Sequence, residues 1–291
     1  MIILPKDIDQ KKLINKLKEI NLQILFLLKS YNQNQKNKNE YQKKLKIVND
    51  ISGPVTEADI RVNNFIISEL LNYCNLWEIV SEENSKKEKI VSLESDWVWI
   101  IDPLDGTKDF IQNTGEYAVH IALSYKKKII LGSVLIPLKN ELWFFMNGIG
   151  TWYESIDGNK NLAIQTNKKD FSEMTILISR NHCPANLESL LVHLKPKKIQ
   201  GMGSVGYKVS SILKGEGDLY ISYSEPGGTT PKDWDMAAPL AIIKGAGGYL
   251  TNEYGQELKF LENNKFKQEE IMIIMSANLI KVELYIKSIS N

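Results

Sequence analysis

The chemistry of this sequence lies in acids placed where the chain changes direction. Asp102-Pro103-Leu104-Asp105-Gly106-Thr107 follows the apolar run Trp97–Ile101. Two carboxylates three residues apart, with Pro and Gly fixing the backbone around them, can hold a hard cation. The N–H groups of Gly106 and Thr107, at the start of a short helical turn, can hold a phosphate oxygen. An Asx-type turn after a strand accounts for Asp-Pro alone; the six-residue string is far more specific. Three further acids stand at element ends: Asp59 in Pro54–Asp59, Glu82 in Ser81-Glu82-Glu83, and Asp235 in Asp233-Trp234-Asp235. Each has a plain alternative. Asp59 fits first-turn capping of a helix opened by Thr56, and Glu82 fits solvated surface. Together the five suit Mg²⁺, which takes carboxylates, waters and a substrate phosphate in octahedral geometry. Two such ions sharing one carboxylate can clamp the attacking and leaving oxygens of phosphoryl transfer. No thiol or histidine nucleophile is required, which suits a chain with two cysteines and three histidines.

The elements that must position these acids are legible from periodicity. Ile8 to Ser30 carries Leu13, Ile14, Leu17, Ile24, Leu25 and Leu28 at helical spacing. A second helix follows Thr56, with Ala58, Val62, Phe65, Ile66 and Leu70 on one face. Trp77–Val80 and Trp97–Ile101 read as strands, the second stopping at Asp102-Pro103. Ala118–Tyr125, Ile129–Pro137 and Glu141–Met146 read as an antiparallel meander, with turns at 148–150 and 157–158. Further on, strands are expected at Thr175–Ser179, Asp218–Tyr223 and Ile271–Met275. Helices are expected at Ala185–Leu194, Ser204–Lys214, Met236–Ile243 and Leu279–Ser288. Polar residues 32–46 read as an exposed loop, which near a phosphate site could serve as a flap. A domain boundary is expected within 137–170.

Bulk properties narrow the function classes. With 291 residues, 43% hydrophobic and 24% charged, the chain has enough apolar material for a packed core. A net charge of +1 offers no footprint for nucleic acid or for stable membrane association. Cys74 and Cys183 show no CxxC spacing and no His/Cys ligand pattern, which fits a reducing compartment without structural zinc. Met1–Asp7 lacks the basic head and long apolar stretch of a secretory leader. No run reaches the ~18 apolar residues of a membrane span. A cytoplasmic location is the expectation.

With these motifs in view, Asp102–Thr107, preceded by Ser81-Glu82-Glu83 and followed by Lys232–Pro239, resembles the inositol monophosphatase superfamily of Mg²⁺-dependent, lithium-sensitive phosphatases. Pro54–Asp59, the extension Asp105–Phe110 and Ser179–His182 are similar to its 3′(2′),5′-bisphosphate nucleotidase branch. The resemblance implies an α/β fold, an αβαβα sandwich of the inositol monophosphatase/fructose-1,6-bisphosphatase type. Its N-terminal subdomain, 1–150, would carry most metal ligands. Its C-terminal subdomain, 151–291, would carry Asp235 and the residues that select the substrate. The resemblance implies two or three Mg²⁺ ions. Glu82, Asp102 and the Leu104 carbonyl would bind one; Asp102, Asp105 and Asp235 would bind a second. Asp59 would serve a third ion or orient the attacking water, with Thr107 and Glu82 among the catalytic groups. Asp105, Gly106 and Thr107 would border the scissile phosphate. Ser179, His182, Ser204 and Lys208 would contact a phosphorylated nucleotide. Lys208, four residues after Ser204 on one helix face, can meet its 5′-phosphate as a point charge. Taken alone, His182 reads as a surface loop histidine.

The implied reaction is hydrolysis of 3′-phosphoadenosine 5′-phosphate to AMP and phosphate, linked to sulfate assimilation. Inositol-1-monophosphatase, or another sugar-phosphate phosphatase of the same fold, is the alternative, because a metal site sees only the phosphate. A non-catalytic binding protein is disfavoured, since all five acids and Thr107 are present. A monomer or a homodimer fits equally.

Overall fold

The computed structural model describes residues 4–5, 8–32, 45–50, 53–85, 93–155, 158–160, 169–225, 228, 230–262, 266–268 and 272–277. The expected helix Leu279–Ser288 and most of the expected 32–46 loop lie outside these residues.

Helix α1 (Gln10–Asn32) buries Leu13, Leu17, Ile20, Ile24 and Leu28, the stripe set by its apolar spacing. Strands β1 (Val48–Asp50) and β2 (Gly53–Val55) form a small hairpin ahead of α2 (Glu57–Tyr73). Thr56 starts α2 with a capping box: its Oγ1 accepts from the Ala58 N–H at 3.1 Å, and its own N–H donates to Asp59 Oδ2 at 2.8 Å. Then come β3 (Glu78–Ser81), the one-turn helix α3 (Glu82–Ser85), β4 (Trp97–Asp105) and the short helix α4 (Thr107–Gln112). A meander follows: β5 (Ala118–Tyr125), β6 (Lys128–Ile136), β7 (Glu141–Met146), β8 (Gly150–Ser155) and β9 (Gly158–Lys160). These strands make one seven-stranded sheet in the order β3-β4-β5-β6-β7-β8-β9, parallel only between β3 and β4. Residue 150, the expected division, falls inside this sheet, because β8 pairs with β7 along its whole length.

The second half builds a five-stranded mixed sheet, β11-β10-β12-β14-β13. Its strands are β10 (Thr175–Ser179), β11 (Lys198–Met202), β12 (Leu219–Tyr223), β13 (Tyr249–Asn252) and β14 (Met272–Ser276). Its helices are α5 (Ala185–Leu194), α6 (Val205–Leu213) and α7 (Asp233–Gly245). Apolar contacts order the layers. Trp99, Ile101 and Leu123 face α1 and α2 on one side of the large sheet. Val98, Ile100 and Ala122 face α6 and α7 on the other, and those helices also meet Leu177, Tyr220 and Leu250 of the small sheet. Helix α5 covers the far face of the small sheet through Leu187 and Leu191. The result is the expected αβαβα sandwich. The alternation of Trp97–Ile101 between two cores explains its unbroken apolar run.

Sequence reading passes over β1, β2, β8, β9, β11 and β13. They are short or partly exposed, and β11 reads Lys-Ile-Gln-Gly-Met with little apolar content.

Candidate active site

Strand β4 does not stop at Asp102-Pro103. It runs on to Asp105, but its register against β5 slips: Asp102 pairs with His120 and Asp105 with Ala118. Three steps on β4 therefore span two on β5, a bulge of one residue, placed where Pro103 has no N–H to give the ladder. In a regular strand, residues three apart point to opposite faces. The bulge brings the Asp102 and Asp105 carboxylates to one side. Gly106 then turns the chain into α4 with φ +88°, a left-handed conformation that glycine adopts without strain.

Asp235, in the first turn of α7, completes the cluster. One carboxylate oxygen from each of Asp102, Asp105 and Asp235 lies within 4.8 Å of the others. Backbone donors aim them. Leu104 N–H donates to Asp102 Oδ1 at 2.9 Å, Val205 N–H to Asp105 Oδ2 at 2.6 Å, and Lys232 N–H to Asp235 Oδ2 at 2.6 Å. Burial, then the charges of Glu82, Asp105 and Asp235, holds the Asp102 carboxyl well above the usual range. Burial, then Asp105 and Glu82, pushes Asp235 up to about 8. Both shifts reflect negative charge crowded into a dehydrated space, which a divalent cation would neutralise. An all-oxygen donor set of this kind fits Mg²⁺. Glu82, half-buried at the start of α3, lies outside the tight trio but close enough to raise both.

Asp59 meets the turn from α2. Thr107 Oγ1 lies 2.9 Å from Asp59 Oδ1 and 3.1 Å from the Leu104 carbonyl. Burial raises the Asp59 pKa to about 6, opposed by hydrogen bonds from Thr56 and Thr107. Such a carboxylate can take a proton near neutral pH.

A cleft of about 220 Å³ adjoins these groups. It is lined by Glu82, Gly106, Thr107 and Lys108 from the first half of the chain and by Ser179, Arg180, Asn181 and His182 from the second. His182 is exposed, and its Nε2 lies 3.1 Å from the Tyr223 carbonyl. Ser179 Oγ lies 3.4 Å from the Tyr220 hydroxyl. Ser204 and Lys208 are placed differently. Ser204 caps α6, its Oγ accepting from the Tyr207 N–H at 2.9 Å. Lys208 is only 1% exposed, with Nζ donating to the Gly203 carbonyl and lying 3.3 Å from that of Ser204. Its ammonium sits 4.9 Å from the Tyr220 ring centre, and burial lowers its pKa to about 8. Lys208 therefore ties down the start of α6 from beneath, instead of presenting a charge to the cleft.

Two further features shape the site. Buried His120 places Nε2 3.4 Å from Asp105 Oδ2, and burial lowers its pKa, favouring the neutral ring. Its signal was a lone histidine within the apolar strand Ala118–Tyr125. The other is a clasp across the two halves. Arg180 bonds Asp109 and, at 2.6 Å, Glu116 Oε2; Asn181 Nδ2 donates to Asp109 Oδ2 at 3.2 Å. Glu116 also accepts from the Gly203 N–H at 2.9 Å. A Cβ on Gly203 would stand 2.1 Å from the Glu116 carbonyl oxygen, so only glycine permits this approach.

Residues 9–289 match the inositol monophosphatase family. The chain is 30% identical over 217 residues to the 3′(2′),5′-bisphosphate nucleotidase CysQ of Escherichia coli strain K12, covering 74% of this chain and 82% of that protein. The extragenic suppressor protein suhB of Bartonella henselae superposes with a TM-score of 0.76 at 21% identity, covering 96% of this chain and 99% of that one. An IMPase/NADP phosphatase solved with Mg²⁺ and phosphate superposes with a TM-score of 0.70 at 20% identity, covering 95% and 93%. The two structures share the fold.

Proposed function

The chain belongs to the inositol monophosphatase family and is a phosphatase of that family; from this premise we propose that it is a Mg²⁺-dependent 3′(2′),5′-bisphosphate nucleotidase. It would release phosphate from 3′-phosphoadenosine 5′-phosphate, leaving AMP, as a clearance step in sulfate assimilation within the cytoplasm. Among the described residues, no helix is long and apolar enough to cross a membrane.

Asp102, Asp105 and Asp235, with Glu82 and the Leu104 carbonyl, are the groups that would hold Mg²⁺. Bound there, two or three ions supply charge neutralisation at the phosphoryl oxygens and an acidified water. The chain's own part is positioning and proton transfer. Thr107 Oγ1, fixed between Asp59 and the Leu104 carbonyl, orients the attacking water by hydrogen bonding. Asp59 accepts the proton released as the new P–O bond forms. The bond to the 3′-oxygen breaks in line, and that oxygen takes a proton from solvent water to leave as the ribose hydroxyl. The Gly106 and Thr107 N–H groups face the scissile phosphate. No phosphoenzyme forms, because no nucleophilic side chain takes part.

The observation that carries the nucleotide reading is that Ser179–His182 line the same cleft as the phosphate turn. That stretch offers Asn181 and His182 to a nucleoside, with Lys108 exposed at the rim. Lithium inhibition would follow from the family relationship. A phosphate-release assay comparing 3′-phosphoadenosine 5′-phosphate, inositol 1-phosphate and fructose 1,6-bisphosphate tests the substrate. Fastest turnover of inositol 1-phosphate would transfer the assignment to the inositol phosphatases. Asp105→Asn should abolish Mg²⁺-dependent turnover with the fold intact; retained activity would remove the metal-site assignment.

A further inference from the structure

The carboxylate cluster uses the first turn of α7, and a second cavity lies against its last turn. Lys244 lies nine residues beyond Asp235 on this helix, about 14 Å along the axis at the usual helical rise. Leu240, Ala241, Lys244 and Gly245 form one wall of a cavity of about 810 Å³. Ile129 and Phe145, from β6 and β7, and Leu258 and Phe260, beyond β13, complete an apolar floor. The volume falls within the range of small-molecule sites, roughly 300–1,000 Å³.

The rim is largely of one sign. Lys126, Lys127, Lys128, Lys244 and Lys259 line it against only Glu257 and Glu262. Lys244 pairs with Glu257 at 2.7 Å and Lys126 with Asp96 at 3.6 Å. Lys127, Lys128 and Lys259 are exposed and make no ion pair among the described residues. The hairpin that carries them is an unexpected place for lysine. Tyr125 pairs with Lys128, so Lys126 and Lys127 form the whole loop. Both adopt left-handed backbone, with φ +47° and +62°. Two-residue loops of this kind favour Asn-Gly, and lysine has no short polar side chain to ease the conformation. Turn formation therefore does not select lysine here.

We propose that this cavity is a second ligand site, which takes a small anion with an apolar body. Its carboxylate or phosphate head would meet Lys127, Lys128 and Lys259. Its chain or ring would lie over Phe145, Leu258 and Phe260. This ligand chemistry differs from that of the phosphatase cleft, whose walls are mainly polar and charged.

Calorimetric titration of the intact, Mg²⁺-supplied protein tests this, with decanoate and decyl phosphate as probes below their micellar concentrations. One site per chain is expected for at least one of them, and the comparison identifies the preferred head group. Neither probe should be displaced by 3′-phosphoadenosine 5′-phosphate. Decyltrimethylammonium and inorganic phosphate should each bind at least about tenfold more weakly, for want of the matching charge or the apolar body. Lys127→Glu with Lys128→Glu should weaken binding about tenfold, and Glu262→Lys should tighten it about threefold. Both variants should keep full phosphatase activity. The gain in Glu262→Lys cannot arise from damaged folding. Equal binding of the ammonium probe, unchanged affinity in both variants, several probes per chain, or displacement by the nucleotide would each overturn the proposal.

Discussion

Replacing Asp235 by Asn should stabilise the metal-free protein. Asn keeps an oxygen to accept the Lys232 N–H, so the local hydrogen bond survives. What disappears is charge. Two unit charges 4.8 Å apart repel by about 3.5 kcal/mol at an effective dielectric constant near 20. A pKa raised from 3.8 to about 8 corresponds to about 6 kcal/mol of opposition to folding once the group is ionised in both states. The carboxylate is half-buried, so solvent screens part of this, and about 3 kcal/mol is the working figure. Because the folded pKa lies above the unfolded one, the opposition is absent below about pH 4. It grows as pH rises and is complete above about pH 8. At about 2 °C per kcal/mol for a chain of this size, Asp235→Asn should melt about 6 °C above the wild type in EDTA at pH 8.5. Near pH 4.5 the two should melt almost together. Mg²⁺ at about 1,000 times its wild-type Kd should reverse the order, since it then stabilises the wild type by about 4.1 kcal/mol and the variant lacks one ligand. Differential scanning calorimetry reads all three conditions. A variant that melts below the wild type in EDTA at pH 8.5 refutes the claim that these carboxylates are crowded and unneutralised.

The remaining predictions concern the neighbouring supports. Thr56 Oγ1 lies 2.5 Å from Asp59 Oδ2 and stabilises its ionised form. Thr56→Val should therefore raise the Asp59 pKa and move the acid limb of kcat/KM, near pH 6 in the wild type, upward by about one pH unit. A limb that stays in place would remove Asp59 from the proton transfer. Arg180→Ala leaves Asp109, only 2% exposed, without its guanidinium. About 2–3 kcal/mol should be lost in urea unfolding, with Arg180→Lys losing less because it keeps the charge but not the planar fork. An unchanged urea midpoint for Arg180→Ala would mean that the clasp contributes nothing to joining the halves.

Much of the site was legible because its signals are local. Asp102-Pro103-Leu104-Asp105-Gly106-Thr107 declares a strand end, two carboxylates and a turn within six residues. Thr56 and Asp59 declare a helix start through a capping pattern that the structure reproduces. The apolar periods of α1, α2 and the meander place those elements within a few residues. The edge strand β11 was illegible because an exposed edge needs no apolar run.

Lys208 marks the boundary between the two kinds of information. Its spacing from Ser204 places both residues near the start of one helix, and that much is set by the chain. Whether its ammonium faces a ligand depends on what packs beneath the helix. There the Tyr220 ring and the Gly203 carbonyl hold it. The meeting of Asp59 with Thr107 and of Asp235 with Asp105, from distant parts of the chain, likewise depends on α2 and α7 packing against opposite faces of one sheet. The opening turn shows the same division in miniature. Residue types alone specify carboxylates, a proline and a glycine. Strand periodicity would point Asp102 and Asp105 apart, and only the bulge formed in pairing with β5 turns them to one side. The sequence by itself thus determined which groups are available for phosphate chemistry. Cross-strand register and long-range packing, which no local pattern encodes, decided which of them meet.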